Sequence, residues 1–176
     1  MNIVFLDIDG VLQPYSSENN FYEINNKTKK LVEILSQKYK IDYSKYNIYD
    51  ILMTYYDWDE SAVARLKYIL DETSSKIIVS SNWRSEKNIY KMRDLLTIRS
   101  LGDYWFADNS ILNYKLTFGE KRALEIKKSL FKYPIDNFVI LDDLKELKDF
   151  FPNNAVITFD YLKNKDVDEC IKILKK

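Results

Sequence analysis

The feature that most constrains the fold is the opening segment, in which an apolar run leads directly into two carboxylates and a glycine. Residues 3–6 (IVFL) are followed by Asp7, Asp9 and Gly10. Residues two apart on a strand point to the same face, and two carboxylates held that close repel each other unless a cation or a proton lies between them. Gly10 allows the chain to turn sharply and to approach a ligand with its backbone. The segment therefore predicts a buried strand that delivers two acids to a ligand site.

Composition excludes several kinds of chemistry. The chain has 176 residues, with 27 Lys+Arg and 27 Asp+Glu, so strong non-specific binding of nucleic acid is not expected. It contains no histidine, which excludes Ser-His-Asp and Cys-His catalysis and every histidine-ligated metal site. Acid–base work would fall to carboxylates, Lys, Tyr or the single cysteine. Cys170 lies among apolar positions of a predicted helix, so we expect it to pack in the core.

Compartment and membrane association follow from the same composition. A single cysteine cannot form an intramolecular disulfide, which is consistent with a reducing cytosol. No signal-peptide pattern is visible, and no apolar stretch is long enough to span a bilayer. We therefore expect a soluble, cytoplasmic protein without a membrane partner, and we leave its oligomeric state open.

Alternating apolar runs and helical patterns predict an α/β fold. Strands are expected at 2–6, 76–79, 104–107, 137–141 and 155–159. Helices are expected at 28–38, from an N-cap at Asp57, at 85–96, at 120–131 and at 166–175. Such alternation predicts a three-layer arrangement with a parallel sheet between helices.

The stretch 13–56 does not fit the alternation, and we interpret it as a small cap inserted after the first strand. The core domain would then comprise 1–12 and 57–176. The insertion is polar and rich in tyrosine, including Tyr39, Tyr43 and Tyr46 at helix-like spacing. These rings could stack on bases of single-stranded nucleic acid, but packing within the protein is the favoured interpretation because the chain carries no net charge.

Later segments also place polar residues where strands end or a helix begins. In an open parallel sheet, ligands bind beyond the carboxyl ends of the strands. The ends of the first, second and fourth predicted strands are neighbours only if the first strand lies between the other two. Clustered carboxylates without His or Cys favour Mg²⁺, and a nearby hydroxyl and cation suit a phosphoryl group. The residues concerned are Ser80 and Ser81, Lys121 and Arg122, and Asp142 and Asp143.

Taken in order, these motifs resemble those of the haloacid dehalogenase (HAD) superfamily of phosphatases. The match runs from Asp7-Ile8-Asp9-Gly10-Val11 through Ser80 and Lys121 to Asp142-Asp143, over residues 1–12 and 57–176. Residues 77–84, and residues 122–126 followed by 139–143, more narrowly resemble the small HAD domain associated with Swiss Army Knife RNA repair proteins. The resemblance implies a HAD-like Rossmannoid parallel sheet with strand order 3-2-1-4-5.

The resemblance also implies residue roles. Asp7 would be the nucleophile that forms an aspartyl-phosphate, and Asp9 would protonate the leaving group and then activate water. Mg²⁺ would be held by Asp7, by the backbone carbonyl of Asp9 and by Asp142, with support from Asp143. Ser80 would hydrogen-bond a phosphate oxygen and Lys121 would neutralise its charge.

Three assignments stay open at this point. If the motif is shifted by one residue, Ser81 takes the phosphate-binding role in place of Ser80. In the pattern of the narrower family, Arg122 takes the role of Lys121. Ser80 and Lys121 are the favoured residues. Arg84 could bind a second phosphate or a nucleic-acid end through its planar fork, or it could be a solvated arginine at a helix start.

The implied activity is Mg²⁺-dependent hydrolysis of a phosphomonoester, with a nucleotide or a nucleic-acid end as substrate. A phosphorylated small molecule is the other substrate class that the resemblance allows. Two alternatives are kept: a phosphotransferase that passes the phosphoryl group to an alcohol, and a non-catalytic interaction protein that retains the HAD scaffold.

Overall fold

The computed structural model describes residues 1–17, 20–85, 87–112 and 115–176. Its centre is a five-stranded sheet in which every pairing is parallel, with the order β3-β2-β1-β4-β5. This confirms the α/β class and the strand order expected from the sequence. The strands are Asn2–Leu6 (β1), Lys76–Val79 (β2), Trp105–Asp108 (β3), Asn137–Asp142 (β4) and Ala155–Ile157 (β5).

The central position of β1 brings three strand ends together. Leu6 pairs with Val79 of β2 on one side and with Leu141 of β4 on the other. The residues that follow these three positions therefore leave the sheet side by side. They include the two acids after β1, the two serines after β2 and the acids at the end of β4.

Helices cover both faces of the sheet and form the insertion. Side chains alternate along β1, so Val4 and Leu6 enter one apolar cluster, and Ile3 and Phe5 enter the other. Cys170 lies fully buried in the first cluster, as expected, and burial raises the pKa of its thiol. The helices are Asn26–Tyr39 (α1), Ile48–Tyr56 (α2), Glu60–Thr73 (α3), Lys91–Ile98 (α4), Phe118–Lys132 (α5), Leu147–Phe150 (α6) and Asn164–Leu174 (α7).

The predicted start of α3 was wrong by two residues. Asp59 is the N-cap, because its backbone is extended (φ −62°, ψ 124°) and its carboxylate accepts a hydrogen bond of 2.8 Å from the Ala62 amide. Asp57 instead ends α2 with helical backbone angles. Its carboxylate accepts hydrogen bonds from Asn20 and Tyr22 and so joins the early part of the insertion to the end of α2.

The helix predicted from residue 85 begins only at Lys91. The preceding loop is held to other parts of the chain by Arg84, whose side chain donates to the carbonyl oxygens of Ser81, Asn109 and Ser110. These contacts favour an irregular loop over an earlier helical turn. Glu86, which the predicted helix also included, lies outside the described residues.

The insertion packs against the core helices. Val32 of α1 and Ile51 of α2 belong to the same apolar cluster as residues of α3 and α4. Tyr43 is fully buried and its hydroxyl donates to the Asp94 carbonyl at 2.7 Å, while the Tyr46 hydroxyl donates to the Asp94 carboxylate at 2.5 Å. The favoured interpretation of these tyrosines as packing residues is confirmed. The division into a core and a separate cap unit stays a prediction.

Within the described ranges, no helix combines the length and apolar character needed to cross a bilayer.

Asp108, at the end of edge strand β3, should make stability depend on pH. Burial raises the pKa of its carboxyl to about 6, although a hydrogen bond from Trp105 and the charges of Arg84 and Lys91 oppose this rise. Because the folded pKa exceeds the unfolded value, the folded state binds more protons between about pH 4 and 6. We therefore expect the free energy of unfolding to fall as pH rises through this range.

Replacing Asp108 with Asn should remove this dependence. Near neutral pH the variant should be more stable than the wild type by about 1–3 kcal/mol, and below about pH 4 the difference should vanish. Urea denaturation at both pH values measures the effect. An equal difference at both values would contradict a carboxyl with a raised pKa.

Candidate active site

The turn after β1 places Asp7 and Asp9 at the centre of the sheet edge. The Asp7 amide donates to the Leu141 carbonyl at 2.9 Å, and its side chain is almost fully buried. Gly10 follows with φ +71°, and a Cβ at this position would lie 2.9 Å from the Cβ of Asp143. A side chain at position 10 would therefore combine backbone strain with a steric clash, which explains the glycine.

Three carboxylates converge beyond β1 and β4. Asp7, Asp142 and Asp143 each offer an oxygen atom, and these three atoms lie within 4.8 Å of one another. Asp142 and Asp143 are brought to Asp7 because β4 pairs directly with β1. A set of carboxylate oxygens without nitrogen or sulfur is compatible with a hard divalent cation.

A buried arginine bridges two of these acids. Arg122 Nη1 lies 2.7 Å from Asp142 Oδ2 and 3.4 Å from Asp7 Oδ1. Arg122 is on the buried face of α5 together with Ile126 and Ser129, whereas Lys121 on the first turn is partly exposed. Of the two neighbouring cations left open by the sequence, the structure brings Arg122 into contact with the acidic cluster.

The electrostatics of this cluster favour an additional positive charge. Burial raises the pKa of Asp7 and raises that of Asp142 further, although Arg122 opposes both shifts. Burial by itself would lower the pKa of the Arg122 guanidinium. The negative charges of Asp7 and Asp142 have the larger combined effect, so the pKa is raised. One guanidinium thus faces two buried acids, with Asp143 beside them. A bound divalent cation would offset the remaining negative charge, so these residues fit a metal.

The two serines after β2 point to different places. The Ser81 hydroxyl hydrogen-bonds Asp7 and favours its ionised form. Ser80 instead accepts a hydrogen bond of 2.9 Å from the Asn109 side chain, and its amide donates to the Leu6 carbonyl. Asn109 in turn accepts a hydrogen bond from Ser129 of α5. Ser81 therefore lies at the candidate site, and Ser80 belongs to a buried polar network behind it.

Arg84 points into the protein. Its Nη2 lies 2.8 Å from Glu125 Oε2, and both side chains are buried. Its remaining nitrogens donate to the carbonyls of Ser81, Asn109 and Ser110. Burial lowers the pKa of the guanidinium, although Glu125 opposes the shift. With its donors used in this way, Arg84 is placed to hold the loop that carries Ser81.

Two aromatic residues at the site were not predicted to take part in it. Trp83 Nε1 donates to both carboxylate oxygens of Asp9, at 3.1 Å each. The Tyr15 hydroxyl donates to the Asp143 carboxylate. For Trp83 the available signal in the sequence was its position two residues after Ser81. Tyr15 had no such signal, because its contact with Asp143 joins residues from opposite ends of the chain.

Comparison with known proteins agrees with this architecture. A family model described as the HAD domain in Swiss Army Knife RNA repair proteins matches residues 3–167. The matched range contains every residue of the candidate site and nearly the whole chain. Searches of curated proteins and of solved structures returned no match. Because the family model covers far more than half of the chain, the protein belongs to the HAD domains found in Swiss Army Knife RNA repair proteins.

Proposed function

We propose that this protein is a Mg²⁺-dependent phosphomonoester hydrolase that acts through an aspartyl-phosphate on Asp7. The observation that carries the proposal is the convergence of Asp7, Asp142 and Asp143 within 4.8 Å, with Arg122 bridging two of them. The Ser81 hydroxyl at Asp7 adds a donor for a phosphate oxygen. Phosphoryl transfer of this kind needs a carboxylate nucleophile, an acidic site for a cation and hydrogen-bond donors for the phosphate oxygens.

The residues suggest a two-step reaction. A carboxylate oxygen of Asp7 attacks phosphorus, the bond from phosphorus to the leaving oxygen breaks, and Asp9 gives that oxygen a proton. Asp9 then takes a proton from water, which attacks the phosphorus of the aspartyl-phosphate and releases Asp7 and inorganic phosphate. Ser81 and Arg122 would bind the phosphate oxygens throughout, with Gly10 admitting the phosphate close to the backbone.

Asp7, Asp142 and Asp143 would hold Mg²⁺, and the backbone carbonyl of Asp9 is a further ligand in this proposal. When bound, the ion would neutralise charge on the phosphoryl group and so allow an anionic carboxylate to approach it. Arg122 takes the place that the sequence alone favoured for Lys121. Arginine can present two parallel donors to a phosphate, whereas lysine acts as a point charge.

We propose the phosphorylated end of a nucleic acid, or a nucleotide, as the substrate. The support is the family description, which places such domains in RNA repair proteins. The formal net charge is zero, so the protein lacks the broad basic field of proteins that track along nucleic acid. Recognition would therefore centre on the terminal phosphate and its nearest nucleotides. A cytoplasmic location is part of the same proposal.

A phosphate-release panel tests the proposal. It would contain an aryl phosphate, mononucleotides, sugar phosphates and oligonucleotides phosphorylated at either the 3′ or the 5′ end, each with Mg²⁺ and with a chelator. We expect release only with Mg²⁺, and fastest release from the oligonucleotides. Release that persists in the chelator would contradict the metal requirement. A preference for sugar phosphates would contradict the substrate class, and products formed with added alcohols would indicate a phosphotransferase.

A further inference from the structure

The contact between Trp83 and Asp9 has a geometry suited to fixing a carboxylate. The indole nitrogen lies 3.1 Å from each of the two oxygens of Asp9, so its single proton is shared between them. We propose that Trp83 is a positioning residue that orients Asp9 for proton transfer to the leaving group. This inference rests on the proposed function and deepens it, because it assigns a residue of the β2 loop to the proton-transfer step.

The indole ring is held from two sides. Its neighbour Trp58 is 1% exposed, and the two ring centroids are 5.9 Å apart at an interplanar angle of 59°. The Trp83 amide donates to Ser81 Oγ at 3.3 Å. A ring fixed by packing and by its own backbone loses little further freedom when it binds a carboxylate. Trp83 can therefore act as a rigid support for Asp9.

The loop that carries Trp83 is itself anchored in the protein interior. Arg84, the next residue, donates to the Ser81 carbonyl and pairs with Glu125 of α5 at 2.8 Å. The phosphate-binding candidate Ser81 and the Asp9 partner Trp83 thus belong to one short segment whose position is set by a buried ion pair. The indole joins this segment to the turn after β1.

The chemical consequence concerns the leaving group. Asp9 is only partly buried, on a turn beyond the end of β1, and the indole N–H of Trp83 contacts both oxygens of its carboxylate. A general acid must lie within hydrogen-bond reach of the atom it protonates. In the first step, the orientation of Asp9 should therefore matter for an alkoxide leaving group, which needs a proton, and much less for a nitrophenolate, which can leave as the anion.

The activity test compares Trp83→Phe with Trp105→Phe, a matched change on β3 whose indole contacts Asp108 instead. For a nucleoside monophosphate or a 3′-phosphorylated oligonucleotide, we expect Trp83→Phe to lower kcat/KM by about 10- to 100-fold, because general acid catalysis contributes about 100- to 10,000-fold. For p-nitrophenyl phosphate the decrease in kcat/KM should be less than about threefold, because kcat/KM reports the steps through departure of the leaving group and not the later hydrolysis, in which Asp9 acts on water. Trp105→Phe should change neither value. Equal losses on both substrates, or no loss, would overturn the proposal.

A second measurement tests the contact without turnover. The chain has three tryptophans, so a ¹H–¹⁵N spectrum shows three indole signals, and Trp83→Phe identifies the signal of Trp83. Asp9→Ala should move that signal upfield and leave the Trp105 signal in place. An unmoved Trp83 signal would overturn the hydrogen bond itself. If the signal moves but the wild type releases no phosphate from any substrate, the proposed function fails and the assigned role of Trp83 fails with it.

Discussion

Replacing Asp7 with Asn is expected to reduce phosphate release to background, a decrease of roughly three orders of magnitude or more. Asn has almost the same shape as Asp, but its amide oxygen is not an anionic nucleophile and cannot form an acyl phosphate that water readily hydrolyses. The same change removes one of the three carboxylates that would hold Mg²⁺. Initial rates with the best substrate of the panel measure the effect.

The variant should remain folded. The charge of Asp7 is buried, and burial raises the pKa of its carboxyl, so a neutral amide removes a desolvated charge. Arg122 keeps its closer partner, Asp142, at 2.7 Å. We expect the melting temperature to be unchanged or higher. Asp168→Asn, on the exposed side of α7, is the matched control and should retain full activity. Substantial turnover by a folded Asp7→Asn protein would contradict the nucleophile assignment.

Replacing Arg84 with Ala is expected to lower the free energy of unfolding by about 3–5 kcal/mol, because it leaves the Glu125 carboxylate buried without its partner. Glu125 is 1% exposed and also accepts a hydrogen bond from the Leu112 amide. The carbonyl oxygens of Ser81 and Asn109 lose a donor as well. Such a loss is a large fraction of the stability of a typical domain. Urea denaturation measures it.

Arg84→Lys is the milder variant, and it keeps the experiment informative if the alanine variant does not fold. Lysine retains the charge but cannot reproduce the planar fork that reaches Ser81, Asn109 and Glu125 together, so we expect an intermediate loss of stability. A double-mutant cycle with Glu125→Ala should show a coupling energy, because the two residues are in direct contact. A rise in KM for Arg84→Ala without any loss of stability would instead indicate contact with substrate.

The positions of the carboxylates could be predicted from the sequence. An apolar run of strand length ends at Asp7, and another ends at Asp142, so both acids had to leave the sheet at its carboxyl edge. Making these ends neighbours required only that β1 lie between β2 and β4, and the full strand order was implied by the family resemblance. Continuous apolar runs carried this information, because β1 and β4 are buried on both faces and consist almost entirely of apolar residues.

The choice between adjacent residues was decided by tertiary structure. Strand alternation stops at Val79, so it does not specify which of Ser80 and Ser81 points to Asp7. On α5, Lys121 and Arg122 lie about 100° apart around the axis, and the packing of α5 against the sheet turned Arg122 inward. In both pairs the favoured sequence interpretation selected the residue that lies outside the acidic cluster.

Local sequence therefore determined which strands carry acids and the edge at which those acids meet. Tertiary structure decided the partners of Arg84, Trp83 and Tyr15, because each binds a group far away in the chain: Glu125, Asp9 and Asp143. Secondary-structure patterns arise from contacts within a few residues, and they contain no information about which distant carboxylate a buried donor will meet. For Arg84 that choice is made by burial, since a desolvated charge must find its partner wherever the folded chain supplies one.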